Sequence, residues 1–137
     1  MNGTFSTDST VNATPLRLDS ALSAQIQVLG DALRAKGWSV SSAESCTGGG
    51  IAFAFTSVSG SSDWFNQSWV TYSNSAKQSR LGVTEQTLVE YGAVSQQTVK
   101  EMADGVRRNS GAQLVVTVSG IAGPNGGSEE KPVGTVW

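Results

Sequence analysis

Length, composition and charge exclude several classes of protein. The chain has 137 residues, which suits one domain and is short for two. Nine basic and eleven acidic residues leave a formal net charge of −2, so a nucleic-acid binder that depends on a basic surface is not expected. Histidine is absent, which excludes Ser–His–Asp and Cys–His hydrolases and most catalytic zinc sites.

Neither a membrane span nor a disulfide is expected. No apolar run reaches the roughly 20 residues of a transmembrane helix, and the N-terminus carries no secretion signal pattern. The single cysteine, Cys46, cannot form a disulfide within the chain. These features predict a soluble, cytoplasmic domain without a membrane partner.

The chain is expected to divide into a short leader and one folded domain. Residues 1–16 are mostly Ser, Thr, Asn and Gly and are predicted to form a disordered leader. The folded domain is predicted over residues 17–137. A helix begins after Asp19 and ends at Gly37, and its apolar face is formed by residues spaced three and four apart, namely Leu22, Ile26, Leu29 and Leu33.

Strands and helices alternate along the rest of the chain. We predict strands over residues 38–43, 68–72 and 114–118, the last buried on both faces, and a helix over 51–58. Three further helices are predicted over 74–81 with Asn74 as N-cap, over 84–91 after Thr84, and from Ser95 onward. Leu88 and Val89 are predicted core contacts. This alternation predicts a layered α/β fold.

The C-terminal segment is predicted to be a glycine-rich loop followed by the start of a strand. The loop covers residues 119–132 and the strand covers residues 133–137. A strand that stops at Trp137 would leave backbone groups unpaired, so we expect the domain to be truncated at this end.

The first candidate site is the segment that runs from Ala43 to Gly49. A predicted strand ends here, Ser45 lies at the turn, and consecutive glycines open a helix. Unpaired N–H groups at such a turn suit a phosphate or a developing oxyanion. The alternative is that Ser45 or Thr47 only caps the helix and that the glycines serve packing. Without a histidine partner, Cys46 is interpreted as a packing residue.

The second candidate site contains Tyr72 and Lys77. A serine nucleophile needs a base, and in a chain without histidine the candidates are lysine, tyrosinate or a carboxylate. A partly buried lysine can lose its proton near neutral pH. The separation of five residues does not match the Tyr-x-x-x-Lys pair of dehydrogenases, and Asn74 occupies the serine position of a Ser-x-x-Lys motif. If Ser45 is left out of consideration, Lys77 is better interpreted as an ordinary exposed helix lysine and Tyr72 as an aromatic residue at a strand end.

The third candidate site is the loop that begins at Ser119. Ligands of layered α/β folds bind at the carboxyl ends of strands, so this loop is expected to share an edge with Ser45. Glu44 is a candidate for orienting Lys77 or the substrate. The alternative for the loop is that it is only flexible, and the alternative for Glu44 is that it is an ordinary surface carboxylate.

Together these segments resemble a known family. The sequences AESCTGG at 43–49, TYSN at 71–74 with Lys77, LGV at 81–83, GAVS at 92–95 and GIAGP at 120–124 resemble the CinA C-terminal domain family, and within it the stand-alone nicotinamide-nucleotide amidases. The resemblance implies a three-layer α/β/α sandwich with a mixed sheet and a homo-oligomer. It also implies hydrolysis of nicotinamide mononucleotide to nicotinate mononucleotide and ammonia, with neither metal nor cofactor.

The resemblance also implies roles for single residues. The family's catalytic serine, tyrosine and lysine fall on Ser45, Tyr72 and Lys77. Ser45 would attack the amide while Lys77, directly or through Tyr72, removes its proton, and N–H groups near Thr47 and Gly48 would hold the oxyanion. The candidate substrate-binding residues are Glu44, Cys46, Thr47, Gly48, Gly49, Asn74, Ser119, Gly120, Ala122 and Gly123.

Two other functions are carried as alternatives. A non-catalytic relative would bind a nucleotide or a partner protein with the same fold. A phosphate-binding transferase would keep its activity after a Ser45→Ala substitution.

Overall fold

The computed structural model describes residues 16–137. In chain order its elements are α1 Ser20–Lys36, β1 Val40–Glu44, α2 Gly50–Thr56, β2 Phe65–Val70, α3 Asn74–Leu81, α4 Glu85–Tyr91, α5 Gln96–Ser110 and β3 Leu114–Val118. A short 3₁₀ turn, Ser61–Asp63, precedes β2. Within these residues no helix is both long and apolar enough to cross a membrane. The predicted leader lies outside the described residues except for Leu16.

The ends of α1 follow from local sequence. The Asp19 carboxylate accepts a hydrogen bond from the Leu22 N–H at 2.8 Å, and Gly37 ends the helix with a φ of 63°. Ile26 and Leu33 of the predicted stripe are buried, whereas Leu22 is 38% exposed. The predicted helix is therefore confirmed, but its buried face is narrower than the predicted apolar face because Leu22 is exposed.

The three strands form a parallel sheet in the order β2-β1-β3. Glu44 at the end of β1 is level with Val70 of β2 and Val118 of β3. Two helices, α1 and α2, cover one face, and α3, α4 and α5 cover the other. The α/β class and the three layers are confirmed. The antiparallel part of the expected mixed sheet is a single bridge between Gly120 and Val136.

Each face of the sheet has its own apolar core. On the α1 and α2 face, Val40 packs with residues of both helices and with the buried ring of Trp64, which meets the Phe55 ring edge-on at 5.8 Å. On the other face, Ala43 packs against α3, α4 and α5, with Met102 fully buried. The predicted core contact at Val89 is wrong, since this side chain is 80% exposed, whereas Leu88 is buried.

Three other local predictions need correction. The second strand covers residues 65–70 rather than 68–72, because the exposed polar side chain of Asn66 interrupts the apolar pattern near its start. The N-cap of α3 is Ser73, whose hydroxyl accepts a hydrogen bond from the Ala76 N–H at 3.1 Å, so Asn74 is the first helical residue. Residues 133–137 form no strand beyond the Gly120–Val136 bridge, although Ser119 and Trp137 exchange backbone hydrogen bonds.

Candidate active site

Ser45 lies at the carboxyl edge of the sheet, one residue after β1. Its N–H donates to the Val118 carbonyl at 3.1 Å, which extends the pairing with β3 by one residue. On the other side of β1, the Thr71 N–H donates to the Glu44 carbonyl at 2.8 Å. Because side chains alternate along a strand, Glu44 and Ser45 point to opposite faces. Ser45 points to the face covered by α3, and it is 7% exposed.

Lys77 of α3 lies against Ser45. The two atoms Lys77 Nζ and Ser45 Oγ are 3.1 Å apart. The same ammonium nitrogen donates to the Thr71 carbonyl at 2.8 Å and to the Tyr72 carbonyl at 3.0 Å. The side chain is only 1% exposed and has no carboxylate partner among these contacts. A buried lysine with this surrounding is a candidate base for the serine hydroxyl.

The direction of the Lys77 side chain follows from its place in α3. It is the fourth residue of the helix, and helical side chains tilt toward the N-terminus, which here means toward Thr71 and Tyr72. The contact with the Thr71 carbonyl was not predicted from the sequence, because a backbone acceptor leaves no side-chain signature. A lysine in the first turn after a strand end is the signal that could have indicated it.

Burial changes the proton affinity of Lys77. It lowers the pKa of Lys77 from its ordinary value of 10.5, with the Cys46 side chain acting in the opposite direction. A neutral lysine amine has two N–H donors and one lone pair. The carbonyl oxygens of Thr71 and Tyr72 can only accept hydrogen bonds, so they engage the two N–H groups of the neutral amine. The lone pair is then left to accept the hydroxyl proton of Ser45.

Tyr72 is placed differently from the other two residues of the expected triad. Its backbone carbonyl binds Lys77, but its side chain is 70% exposed. Within residues 16–137 the phenol makes no side-chain hydrogen bond, to Ser45, to Lys77 or to any other residue. The structure therefore brings Ser45 and Lys77 together directly, without an intervening phenol.

Glu44 has its carboxylate on the opposite side of the sheet from Lys77. It is fully buried and accepts three hydrogen bonds, from the Thr47 hydroxyl at 2.6 Å, the Ile51 N–H at 2.8 Å and the Ala52 N–H at 3.0 Å. The expected contact between Glu44 and Lys77 does not form. The N-terminus of α2, which the sequence offered to an external phosphate or oxyanion, is occupied by this carboxylate.

The turn after Ser45 has left-handed backbone at its glycines. Gly48 has a φ of 58° and Gly49 a φ of 105°, which favour glycine at both positions. The Gly48 N–H donates to the Ser45 carbonyl at 3.1 Å, so it is not open to a substrate oxygen. Within the described chain, the N–H groups of Cys46 and Thr47 make no such bond. The Gly49 N–H makes none either, but Cys46 and Thr47 directly follow Ser45 in the chain, so their N–H groups are the candidate donors to a substrate oxygen.

The glycine-rich loop meets the same edge of the sheet. A Cβ atom at Gly120 would lie 2.9 Å from Cys46 Sγ, so glycine is needed for this close approach. Ser119 is buried, and its hydroxyl donates to the Ala93 carbonyl at 2.8 Å, which leaves this residue in a packing role. Of the other predicted binding residues, Asn74 and Ala122 are exposed and Gly123 is half-buried.

Two cavities lie outside the Ser45–Lys77 contact. One of about 490 Å³ lies between the start of α1 and α2, and no predicted site residue lines it. A second, of about 290 Å³, is formed at the start of α5 by residues that include Ser95, Lys131 and Trp137. Trp137 pairs with Ser119, which places this second cavity at the carboxyl edge of the sheet. Residues 16–137 contain no group of three His, Cys, Asp or Glu side chains suited to a metal ion.

Comparison with known proteins identifies relatives with matching sequence and fold. The profile of the CinA C-terminal domain matches residues 22–137. The nicotinamide-nucleotide amidohydrolase PncC of Enterobacter agglomerans is 64% identical over 109 residues, which cover 80% of this chain and 66% of that protein. The protein of the same name from Escherichia coli K12 is 54% identical over 119 residues, which cover 87% of this chain and 72% of that protein. This chain thus spans about two thirds of the length of these relatives.

Solved structures show the same fold. The competence/damage inducible protein CihA from Agrobacterium tumefaciens superposes with a TM-score of 0.86 at 45% identity, over 89% of this chain and 74% of that chain. The competence damage-inducible protein A from Klebsiella pneumoniae superposes with a TM-score of 0.82 at 39% identity, over 85% of this chain and 72% of that one.

Proposed function

Since the chain belongs to the CinA C-terminal domain family, we propose that it is a serine amidase acting on nicotinamide mononucleotide. The products are nicotinate mononucleotide and ammonia, as part of pyridine nucleotide recycling. The substrate is taken from the names of the relatives that are 54–64% identical to it. The single observation that supports the chemistry is the 3.1 Å contact between buried Lys77 Nζ and Ser45 Oγ.

Lys77 acts as the base in the first half of the reaction. Neutral Lys77 accepts the hydroxyl proton of Ser45 as Ser45 Oγ forms a bond to the carboxamide carbon. The carbonyl oxygen becomes an oxyanion, which the N–H groups of Cys46 and Thr47 bind. Lys77 then gives its proton to the leaving nitrogen, the C–N bond breaks, and ammonia departs.

Water completes the reaction. The acyl group remains esterified to Ser45 Oγ, and Lys77 is neutral again after donating its proton to the leaving nitrogen. It accepts a proton from a water molecule that attacks the ester carbon. Collapse of the second oxyanion breaks the bond to Ser45 Oγ, Lys77 returns the proton to that oxygen, and nicotinate mononucleotide is released. Direct transfer over 3.1 Å needs no relay through the Tyr72 phenol.

Location and assembly are further parts of this proposal. The enzyme is proposed to be cytoplasmic, as expected from the composition, and to form a homo-oligomer. Light scattering coupled to size-exclusion chromatography measures the mass of the assembly in solution, and a mass equal to that of one chain would contradict the homo-oligomer.

The decisive experiment compares ammonia release from nicotinamide mononucleotide by this chain and its Ser45→Ala variant. We expect the variant to lose release, because no other residue supplies the nucleophile. The matched control is Ser41→Ala, which makes the same change at a buried serine of β1. A sulfonyl fluoride should label the parent chain at Ser45, as located by mass spectrometry.

The alternatives predict different results. If the chain is a non-catalytic relative, neither the parent chain nor the Ser41→Ala variant releases ammonia. Release that survives Ser45→Ala would favour a phosphate-binding transferase or another mechanism without a serine nucleophile, and it would overturn the amidase proposal.

A further inference from the structure

The turn that carries the proposed oxyanion donors is connected to the sheet through a buried carboxylate. Glu44 Oε1 accepts hydrogen bonds from both the Thr47 hydroxyl, at 2.6 Å, and the Ile51 N–H, at 2.8 Å. Glu44 Oε2 accepts from the Ala52 N–H at 3.0 Å. A carboxylate removed from water must be compensated in this way, since burying it unpaired is very costly. One side chain therefore joins the end of β1, the turn and the start of α2.

The turn is not rigid by sequence alone. Its two glycines, Gly48 and Gly49, have more accessible backbone conformations than any other residue type. Gly49 is also the N-cap of α2, and it supplies no side-chain capping bond. Among the residues described, the Thr47 hydroxyl makes the side-chain hydrogen bond that ties this turn to the central strand.

The strand end that holds Glu44 is itself well fixed. Glu44 pairs with Val70 on one side and Val118 on the other, so its backbone is held by both neighbouring strands. The hydrogen bond from Thr47 transfers this fixed position to the turn. It acts within two residues of Ser45 and on the same peptide segment as the Cys46 and Thr47 N–H groups.

From this arrangement we infer that Glu44 and Thr47 are positioning residues rather than substrate-binding residues. The Glu44–Thr47 hydrogen bond holds the turn so that the N–H groups of Cys46 and Thr47 point at the developing oxyanion of the amidase reaction. This inference depends on the proposed function for its chemistry. It assigns the bond to transition-state stabilisation, so its loss lowers kcat and leaves KM nearly unchanged.

The test compares Thr47→Val with Thr47→Ser in the 137-residue chain. Valine keeps the shape of threonine but cannot donate to Glu44, whereas serine keeps the hydroxyl. We expect Thr47→Val to lower kcat by about tenfold, which is less than the 10²–10³-fold loss on removal of an oxyanion donor itself. Thr47→Ser should restore most of that loss. The acid limb of the pH profile should not move in either variant, because Lys77 is untouched.

Two controls separate positioning from other effects. Thr56→Val makes the same change at an exposed residue of α2, where the hydroxyl bonds only to carbonyls of its own helix. Amide hydrogen exchange of residues 46–49, measured without substrate, should become faster in Thr47→Val and stay at the parent rate in Thr56→Val.

The outcomes distinguish this inference from the proposed function. If the parent chain releases no ammonia, the proposed function fails, and unchanged exchange in Thr47→Val would overturn the positioning role separately. If the parent is active and Thr47→Val raises KM with kcat unchanged, Thr47 binds substrate and the inference is overturned. An unchanged kcat and KM would overturn it as well.

Discussion

Two buried ionisable side chains, Glu44 and Lys77, lie on opposite faces of the sheet and have opposite surroundings. Glu44 is surrounded by donors, two from the backbone of α2 and one from Thr47. Lys77 is surrounded by two carbonyl oxygens and the hydroxyl of Ser45. Both are at most 1% exposed, so burial alone does not distinguish them.

Of these two buried side chains, only Lys77 has surroundings that leave it available for chemistry. The three groups in contact with the Glu44 carboxylate all donate hydrogen bonds to it, and each of them belongs to the turn or to α2. Such a carboxylate stabilises local structure. Lys77 has one neighbour, Ser45, that can either accept a hydrogen bond or lose a proton, and burial lowers the pKa of Lys77 so that the second state becomes accessible.

The largest expected effect is on activity, from Lys77→Met. Methionine fills a similar volume without an amine, so ammonia release should fall by about 10²–10⁴-fold, the usual contribution of a general base. Lys100→Met, at an exposed position of α5, is the matched control. Steady-state rates on variants with unchanged circular dichroism measure the effect. A Lys77→Met variant that keeps a tenth or more of the parent rate would show that Lys77 is not the base.

The pH dependence of the parent chain should show the same residue. Only neutral Lys77 can accept the Ser45 proton, so kcat/KM should rise with pH and level off at higher pH. The midpoint of this rise should lie at the pKa of Lys77, below 10.5. Between the lowered pKa of the folded chain and 10.5, the unfolded chain binds more protons, so the free energy of unfolding should also increase with pH. Urea unfolding of the parent and of Lys77→Met, compared over this pH range, measures that increase. A difference between the two proteins that does not change with pH would contradict the shift.

A smaller effect is expected on stability, from Glu44→Gln. The amide can accept through one oxygen, but its NH₂ group then faces a backbone N–H of α2. We expect a loss of about 1–3 kcal/mol in the free energy of unfolding, the usual penalty for an unsatisfied buried polar group. Urea unfolding measures it, with the exposed Glu129→Gln as control. Equal stability in the two variants would mean that the carboxylate charge contributes nothing to holding α2.

The smallest effect is expected from Tyr72→Phe. The phenol is exposed and makes no side-chain hydrogen bond in the part of the chain described, while the carbonyl that binds Lys77 is kept. We expect kcat to change by less than about threefold, which corresponds to under ~0.7 kcal/mol. Ammonia release at saturating substrate tests this. A loss of 100-fold or more would instead assign the proton relay to Tyr72.

Much of the fold could be predicted because its signals are local. Asp19, Thr84 and Ser95 cap helices within three residues of themselves, and Gly37 and Gly82 end helices through their own backbone conformation. The edge strand β2 was displaced by three residues at its start. Its exposed residues are Asn66 and Val70, and a half-exposed strand with a polar residue near its start gives a weaker apolar pattern than a fully buried strand.

The candidate site could be predicted only in part. The sequence identified Ser45 as the candidate nucleophile and Lys77 as a candidate base. The strand order places both at the same edge of the sheet, where they are in contact. The sequence assigned Glu44 to the side of Lys77 and left the α2 N-terminus open to a ligand. The pairing of β1 with β2 and β3, which sets the face to which Glu44 points, involves residues 26 and 74 positions away from β1.

The helices and several of their caps, the layered α/β class, and the residue types that the proposed amide hydrolysis needs in a chain without histidine all follow from the sequence. These depend on caps, glycines and periodicity that act within a few residues. That Glu44 bonds to the turn and that Lys77 lies against Ser45 depends instead on how the elements pack in three dimensions. A buried side chain takes its role from the donors and acceptors of the elements packed around it, and those elements are brought together by the fold.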